Sequence, residues 1–386
     1  MSSGGISLAG VSVELGAFSL RRLDLAVQPG ERLVIVGPNG AGKSVTLEAI
    51  AGFHRVAAGR IVIRDRDVTR LPPESRNVAF VLQNFGLFPH LSVQGNIALG
   101  LQRMPRGSRP PRLARLMEQF GIGHLAHRLP HSLSPGEKQR VGLARALAAE
   151  PDVFLFDEPF SALDAGTHAR LRLELHDFLQ RSRIPAIFVT HDRTDAHALG
   201  TALAIMQDGA IVQAGPRRDV LRAPCNRHVA ELLGVENIFA AKLSRGSGGR
   251  PQILVTGMTL IAAGNTTAAG SDVLVGIRAE DIQVLPPGTT DPADNRIAAR
   301  ILAALDEGLL TVIQLDCGVV LQARMLSRAA QNLHLVPGAT VEIAIAPAAI
   351  QLMPAEPSGN PATANAKAMA TAPGFRFRPA AAIVEP

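Results

Sequence analysis

"GPNGAGKS", Gly37 to Ser44, follows the apolar run "RLVIVG" (Arg32 to Gly37) and leads into a stretch with helical spacing from Lys43 to Gly52. A glycine-rich turn set between a buried strand and a helix start is the form of a phosphate-binding loop. In that geometry the backbone N–H groups from Gly40 to Ser44 wrap a phosphate, where the helix dipole and its free donors both favour an anion. Lys43 reaches the β- and γ-phosphates, and Ser44 holds Mg²⁺. With glycine usage near ~7%, chance alone produces the pattern in a chain of this length on the order of one time in a hundred. The reading that follows is nucleotide binding, with Gly37, Pro38, Asn39, Gly40, Ala41 and Gly42 as the loop and Lys43, Ser44 and Val45 as the helix start.

Working outward, short β-branched runs alternate with helical patterns from Ile6 to about Val212. "VAFVLQ" (Val78 to Gln83), "VFLFDE" (Val153 to Glu158), "AIFVTH" (Ala186 to His191) and "ALAIMQ" (Ala202 to Gln207) join "RLVIVG" as short apolar strands. Such runs belong to a sheet covered on both faces. Lys43 to Gly52, Arg112 to Gly121, Glu137 to Glu150 and Ala165 to Gln180 read as helices, which completes an α/β pattern.

Beyond Gly234 the texture changes to short alternating strands with frequent Gly, Pro and Asp turns, the signature of a small β-barrel or sandwich. "SDVLVGIRAEDIQVLP" (Ser271 to Pro286) and "ATVEIAIAPAAIQLMP" (Ala339 to Pro354) align without gaps, Val273 with Val341 and Ile282 with Ile350. Two related β units are expected. From Ala355 onward Ala, Pro and Ser dominate, a composition that reads as a disordered tail. The expected domains are residues 1–235, 236–354 and 355–386.

At 386 residues the chain is long enough for two domains with sizeable cores. No run approaches the ~18 apolar residues of a membrane span. The opening "MSSGGISLAG" has no basic region followed by an apolar block, so a cytoplasmic setting is the default. Cys225 and Cys317 stand far apart without ligand-spaced neighbours, which argues against a disulfide framework or a zinc site and leaves ordinary buried thiols. The net charge of +6 admits an acidic partner or simply a solvated basic face. Nucleic acid is excluded by the second region: residues 236–353 hold eight Lys plus Arg against ten Asp plus Glu, with Phe239 the sole aromatic. Single-strand binding needs a positive groove and stacking rings.

Two acids end the strand in "VFLFDEP". Asp157 is placed to hold Mg²⁺, and Glu158, one position on, to act as general base toward a water. His191 ends "AIFVTH" and is placed to reach a γ-phosphate; Gln83 is the polar end of "VAFVLQ". In "HSLSPGEKQRVGLARALAAE" (His131 to Glu150), Ser134 falls at an N-cap, Pro135 at the first helical position and Glu137 at the third, a capping box. A stable helix start is explained by that box alone.

Taken together, "GPNGAGKS", "QNFGLFPHLSV", "LSPGEKQRVGLARAL", "VFLFDEPFSALD" and "VTHD" resemble, in order and spacing, the ATP-binding subunits of ABC transporters. The resemblance implies a P-loop NTPase cassette with a helical subdomain, working with ATP and Mg²⁺ in a head-to-tail dimer. Each phosphate loop would be closed by the signature helix of the second copy, through Ser134 and Gly136. The implied roles are β/γ-phosphate contact for Lys43, Mg²⁺ for Ser44 and Asp157, Mg²⁺ and sensing for Gln83, base for Glu158, γ-phosphate switch for His191 and a dimer contact for Asp164. It also implies integral-membrane permease partners and a peripheral position on the cytoplasmic face of the inner membrane.

The chain departs from that family in two places. The family's usual "LSGGQ" is "LSPGE" here, so Pro135 removes one backbone donor and Glu137 adds a carboxylate. The family's adenine-stacking aromatic, often Tyr or Trp, is missing, as neither residue occurs in the chain; Phe18 is the nearest candidate and Leu15 the aligned one. The region after Gly234 resembles the regulatory, OB-like β domain of the import branch, and "GKSVTLEAIAGF", "LPPESRNVAFVLQ" and "GVENIF" look most like importers of molybdate, tungstate and related oxyanions. That likeness adds a regulatory oxyanion to the expected partners. Iron(III), polyamine and sugar importers stay open as alternatives, as does a soluble ABC ATPase unconnected with transport.

Overall fold

A computed structural model of the chain describes residues 4–82, 86–161, 164–246, 250–255, 258–263, 270–286, 295–333 and 335–355. Gln83 and residues 356–386 of the expected tail lie outside the described residues. The chain divides into two compact units between Arg217 and Arg218.

The first unit opens on a hairpin, β1 (Ile6–Leu15) and β2 (Phe18–Val27), whose antiparallel sheet continues through β4 (Ala58–Ile63) to the short β5 (Arg66–Asp67). β1 turns Ile6, Leu8, Val11 and Val13 inward, two alternating pairs offset by an irregular step after Leu8, so that one face of the sheet is covered. The apolar runs form a second sheet. β3 (Arg32–Val36), β6 (Val78–Val81), β7 (Val153–Asp157), β8 (Ala186–Val189) and β9 (Ala202–Gln207) are parallel, in the order β9-β3-β8-β7-β6. β10 (Ala210–Pro216) adds an antiparallel edge to β9 through Asp208 and Gly209, both at positive φ (48° and 77°). Such a turn suits the twist of a two-residue hairpin.

The helices α1 (Lys43–Ala51), α5 (Ala165–Ser182) and α6 (Arg193–Leu199) accompany this sheet. α2 (Val93–Gly100), α3 (Arg109–Gln119) and α4 (Pro135–Ala148) form a helical subdomain around a separate apolar cluster that includes Val93, Ile97, Leu116, Leu125, Val141 and Ala144. Parallel strands send their C-terminal ends to one edge. The loops after β3, β7 and β8, which are neighbours in the sheet, therefore leave side by side, the usual place for a ligand in an α/β fold.

The second unit carries two short helices, α7 (Arg217–Arg222) and α8 (Arg227–Leu232), and a nearly closed, all-antiparallel OB-like β domain. One five-stranded sheet runs β13 (Met258–Ile261), β12 (Pro251–Val255), β11 (Asn237–Arg245), β14 (Asp272–Ile277), β20 (Gln351–Pro354). The other runs β15 (Ile282–Leu285), β19 (Thr340–Ile345), β16 (Arg296–Asp306), β17 (Leu310–Asp316), β18 (Val320–Leu326). Both sheets contribute to one core, with Ile253, Leu260, Ile277, Ile313, Leu321 and Ile345 buried.

The sixteen-residue repeat is the visible part of a larger symmetry. The strands of the two repeats exchange partners: β14 pairs with β20 and β15 with β19, with Gly276 opposite Gln351 and its counterpart Ala344 opposite Gln283. Two buried asparagines carry the same relation further. Asn237 donates to the Ile277 carbonyl and brackets Gln322 with its amide; Asn295 donates to the Ile345 carbonyl and brackets Ile261. The repeat thus begins at each asparagine, well before the segments whose sequences align. Cys225 and Cys317 are half-buried thiols outside any disulfide rather than fully buried ones, and burial pushes both above the usual thiol range.

Candidate functional site

β3 is buried throughout and is followed by Gly37, where the chain has no room for a side chain: a Cβ there would stand 2.2 Å from the Met206 carbonyl oxygen of β9. The loop then turns through Gly40 and Gly42, both at positive φ (79° and 102°), and enters α1. Glycine adopts such angles without the Cβ penalty. Pro38, Asn39 and Gly40 are exposed at the rim, Gly37, Ala41, Gly42 and Lys43 are buried, and Ser44 and Val45 are intermediate.

Lys43 Nζ donates to the carbonyls of Gly37 (3.0 Å) and Pro38 (2.9 Å), so the ammonium folds back across its own loop. Burial lowers its pKa, while Glu158 and Asp157 act against that shift. Ser44 Oγ donates to Asp157 Oδ1 at 3.1 Å. Burial pushes the Asp157 carboxyl up, the Ser44 hydrogen bond pulls it down, and nearby Glu158 and Glu48 raise it further. A half-buried carboxylate among other acids, joined to a serine hydroxyl, is a hard oxygen donor set short of a cation, which fits Mg²⁺.

Glu158 follows β7 at a φ of 45°. The left-handed turn is strained for a side chain of this kind. It is held by the Glu158 N–H donating to the Val189 carbonyl of β8 and by Ser161 donating to the Glu158 carbonyl. The Glu158 carboxylate meets His191 Nδ1 at 3.1 Å. His191 is exposed, and Asp192 beside it caps α6 through the N–H groups of Thr194 and Asp195. Five of the sequence-selected residues, Lys43, Ser44, Asp157, Glu158 and His191, thus sit around one sheet edge.

The signature residues have other neighbours. Ser134 is the N-cap of α4 and the box is complete: Glu137 Oε2 accepts from the Ser134 N–H (2.7 Å) and hydroxyl (2.8 Å). Those two donors hold the Glu137 carboxyl below its usual range. Gly136 is buried against Arg170 and Leu171 of α5. Asp164 caps α5, accepting from the Thr167 N–H. Phe18 and Leu15 are cross-strand partners at the β1–β2 hairpin, and the Phe18 ring lies so close to Gly42 that a Cβ there would stand 2.7 Å from it.

The site also contains groups that the motifs did not single out. Glu48 of α1 reaches the electrostatic field of Asp157. His168 and Asp195, four and three residues beyond two of the motifs, meet at 2.7 Å. Neither has a sequence signal of its own, because a histidine in a helix and an aspartate after a capped start are both ordinary.

A family model described as ABC transporter matches residues 20–161. A molybdate/tungstate import ATP-binding protein of Pyrococcus horikoshii is 38% identical over 90% of this chain and 100% of its own length. An Fe(3+) ions import ATP-binding protein of Brucella abortus is 38% identical over 66% of this chain and 73% of its own. A 2-aminoethylphosphonate import ATP-binding protein of Salmonella typhimurium, itself described as putative, is 38% identical over 78% of this chain and 82% of its own.

Proposed function

This chain belongs to the family of ABC transporter ATP-binding proteins, and on that premise we propose that it is the ATP-hydrolysing subunit of an importer whose cargo is an oxyanion such as molybdate or tungstate. The observation that carries the cargo is extent. The likeness to the molybdate/tungstate relative extends over 90% of this chain and the full length of the relative, whereas the likeness to the iron relative covers 66% of the chain.

In the reaction we assign, Lys43 exchanges the carbonyls of Gly37 and Pro38 for the β- and γ-phosphates, and backbone N–H groups of the loop hold the rest. Ser44 and Asp157 hold Mg²⁺, with Gln83 as a further ligand and sensor. Bound there, Mg²⁺ neutralises charge that develops on the phosphate oxygens. Glu158 accepts a proton from the attacking water, and His191 steadies the Glu158 carboxylate and contacts the γ-phosphate. Ser134 and Gly136 of a second copy close the site in a head-to-tail dimer, with Asp164 at the same contact.

The functional division is a motor over residues 1–235 and a regulatory β domain over 236–354. No helix among the described residues is long and apolar enough to cross a membrane. The site of work is the cytoplasmic face of the inner membrane, against integral-membrane permease subunits. The β domain binds a regulatory oxyanion through backbone donors and small hydroxyls, and no nucleic acid takes part.

Reconstitution with the permease in proteoliposomes tests the cargo. ATP-driven uptake of molybdate or tungstate, and not of iron(III), is expected; uptake of iron(III) alone would contradict it. Calorimetry of the full chain with molybdate, tungstate and sulfate tests the regulatory site, and no heat with any of them would remove it.

A further inference from the structure

We propose that His168 is a positioning residue for ATP hydrolysis, joining the segment that carries Glu158 to the segment that carries His191. The proposal rests on the catalytic reading of those two residues given above.

His168 lies in the first turn of α5, and its imidazole faces two directions at once. One face stacks on Phe160, two residues after Glu158, with ring centroids 5.0 Å apart and planes 28° from parallel. Phe160 is 2% exposed, so that face is fixed in the core. The ring edge binds the other segment: Nε2 lies 2.7 Å from Asp195 Oδ1, on α6, four residues after His191. A carboxylate only accepts, so Nε2 is the protonated nitrogen. The Asp195 side chain is buried and takes a second bond from Arg172 Nη1, at 3.1 Å, from the next turn of α5.

Asp195 also donates its N–H to Asp192, the residue next to His191, so the cap of α6 and the His168 contact share one turn. The backbone amide of His168 donates to the carbonyl of Asp164, whose side chain caps α5, so the residue sits in a closed first turn of that helix. A ring that stacks on Phe160 and donates to Asp195 ties a strand-end segment to a helix start, and the donated bond is the link that reaches α6.

The three ligand-type atoms of His168, Asp192 and Asp195 lie within 4.8 Å of one another. Asp195 is already neutralised by Arg172 and Asp192 is committed to the α6 cap, so the cluster is a structural tie rather than a cation seat. Its consequence falls on the 3.1 Å contact between His191 Nδ1 and Glu158 Oε1, which spans the two segments the ring joins.

The experiment compares His168→Phe, which keeps the stack and loses the bond to Asp195, with His168→Gln, whose amide nitrogen stands where Nε2 stood. Turnover with MgATP, affinity for a fluorescent ATP analogue and melting temperature are read on the full chain. Displacement of catalytic groups by about an ångström costs up to about 10²-fold, so His168→Phe should lower kcat about 10- to 100-fold. Its nucleotide affinity should stay within about twofold of wild type, the signature of an interaction that matters at the reacting step. His168→Gln should restore most of the lost kcat.

Wild-type kcat in His168→Phe would overturn the proposal. So would a loss of kcat, affinity and melting temperature together that His168→Gln fails to restore, which would reduce His168 to a packing residue. Glu158→Gln runs as the control: if it leaves turnover intact, the catalytic reading itself has failed, and the positioning role falls with it.

Discussion

His191 Nδ1 lies 3.1 Å from Glu158 Oε1, bridging the ends of two adjacent parallel strands. With the carboxylate ionised, the shared proton sits on Nδ1, which orients the imidazole and leaves Nε2 for a second partner. Removing one preorganised donor from a reacting centre typically costs about 10²-fold or more. His191→Ala should therefore lower kcat about 10²-fold while nucleotide binding persists. Equal losses of kcat and of affinity would place His191 in ground-state binding instead.

Asp157 offers a pH signature. Its pKa is raised, first by burial, so the folded chain holds that proton to higher pH than the unfolded chain does. Between the ordinary carboxylate value and the raised one, the unfolded state has released the proton and the folded state has not, and stability falls as pH rises through that window. Asp157→Asn removes the ionisation, so thermal melts without nucleotide should show the variant gaining on wild type as pH increases, alongside loss of Mg²⁺-dependent turnover. A gap between the two that does not change with pH would refute this account of the site.

The Ser134 amide and hydroxyl both donate to Glu137, so in the proposed head-to-tail dimer the seat assigned to the second copy's γ-phosphate already holds a carboxylate. Glu137→Gln keeps the capping box, for which Gln serves as well as Glu, and removes the charge. A charge at a helix N-terminus is worth enough to shift an equilibrium by about two- to fivefold. ATP-dependent dimerisation, followed by light scattering, should reach its midpoint at correspondingly lower ATP in Glu137→Gln. An unchanged midpoint with an unchanged melt would mean that the carboxylate never meets the phosphate.

Phe18 stands against Gly42 of the loop and opposite Leu15. If its ring stacks on adenine, Phe18→Ala should weaken ATP binding by about 1 to 3 kcal/mol, the range for a base on an aromatic side chain. Unchanged affinity would move the contact to Leu15.

The parallel sheet was legible because its strands are buried on both faces and stand out as unbroken apolar runs; observed and expected ends differ by two residues at most, as at Val81 for Gln83 and Val189 for His191. Ser134 was legible because a cap with Pro at the first helical position and Glu at the third is a local signal, and the full box is present. The β1–β2 hairpin escaped because its alternation is interrupted by irregular register between Leu8, Val11 and Val13. The full β repeat escaped because Asn237 and Asn295 do the same work by side-chain bonds to backbone, which leave neighbouring side chains free to diverge. His168 and Asp195 were invisible for a related reason: each is 27 residues from its partner, and only the packing of α5 beside α6 makes them a pair.

The most direct test of the central claim is single-turnover hydrolysis of MgATP by Glu158→Gln beside wild type, with dimer formation followed in the same samples. The variant should bind ATP, accumulate as a dimer and hydrolyse about 10²- to 10⁴-fold more slowly, the usual cost of removing a general base. Hydrolysis at the wild-type rate would contradict the account.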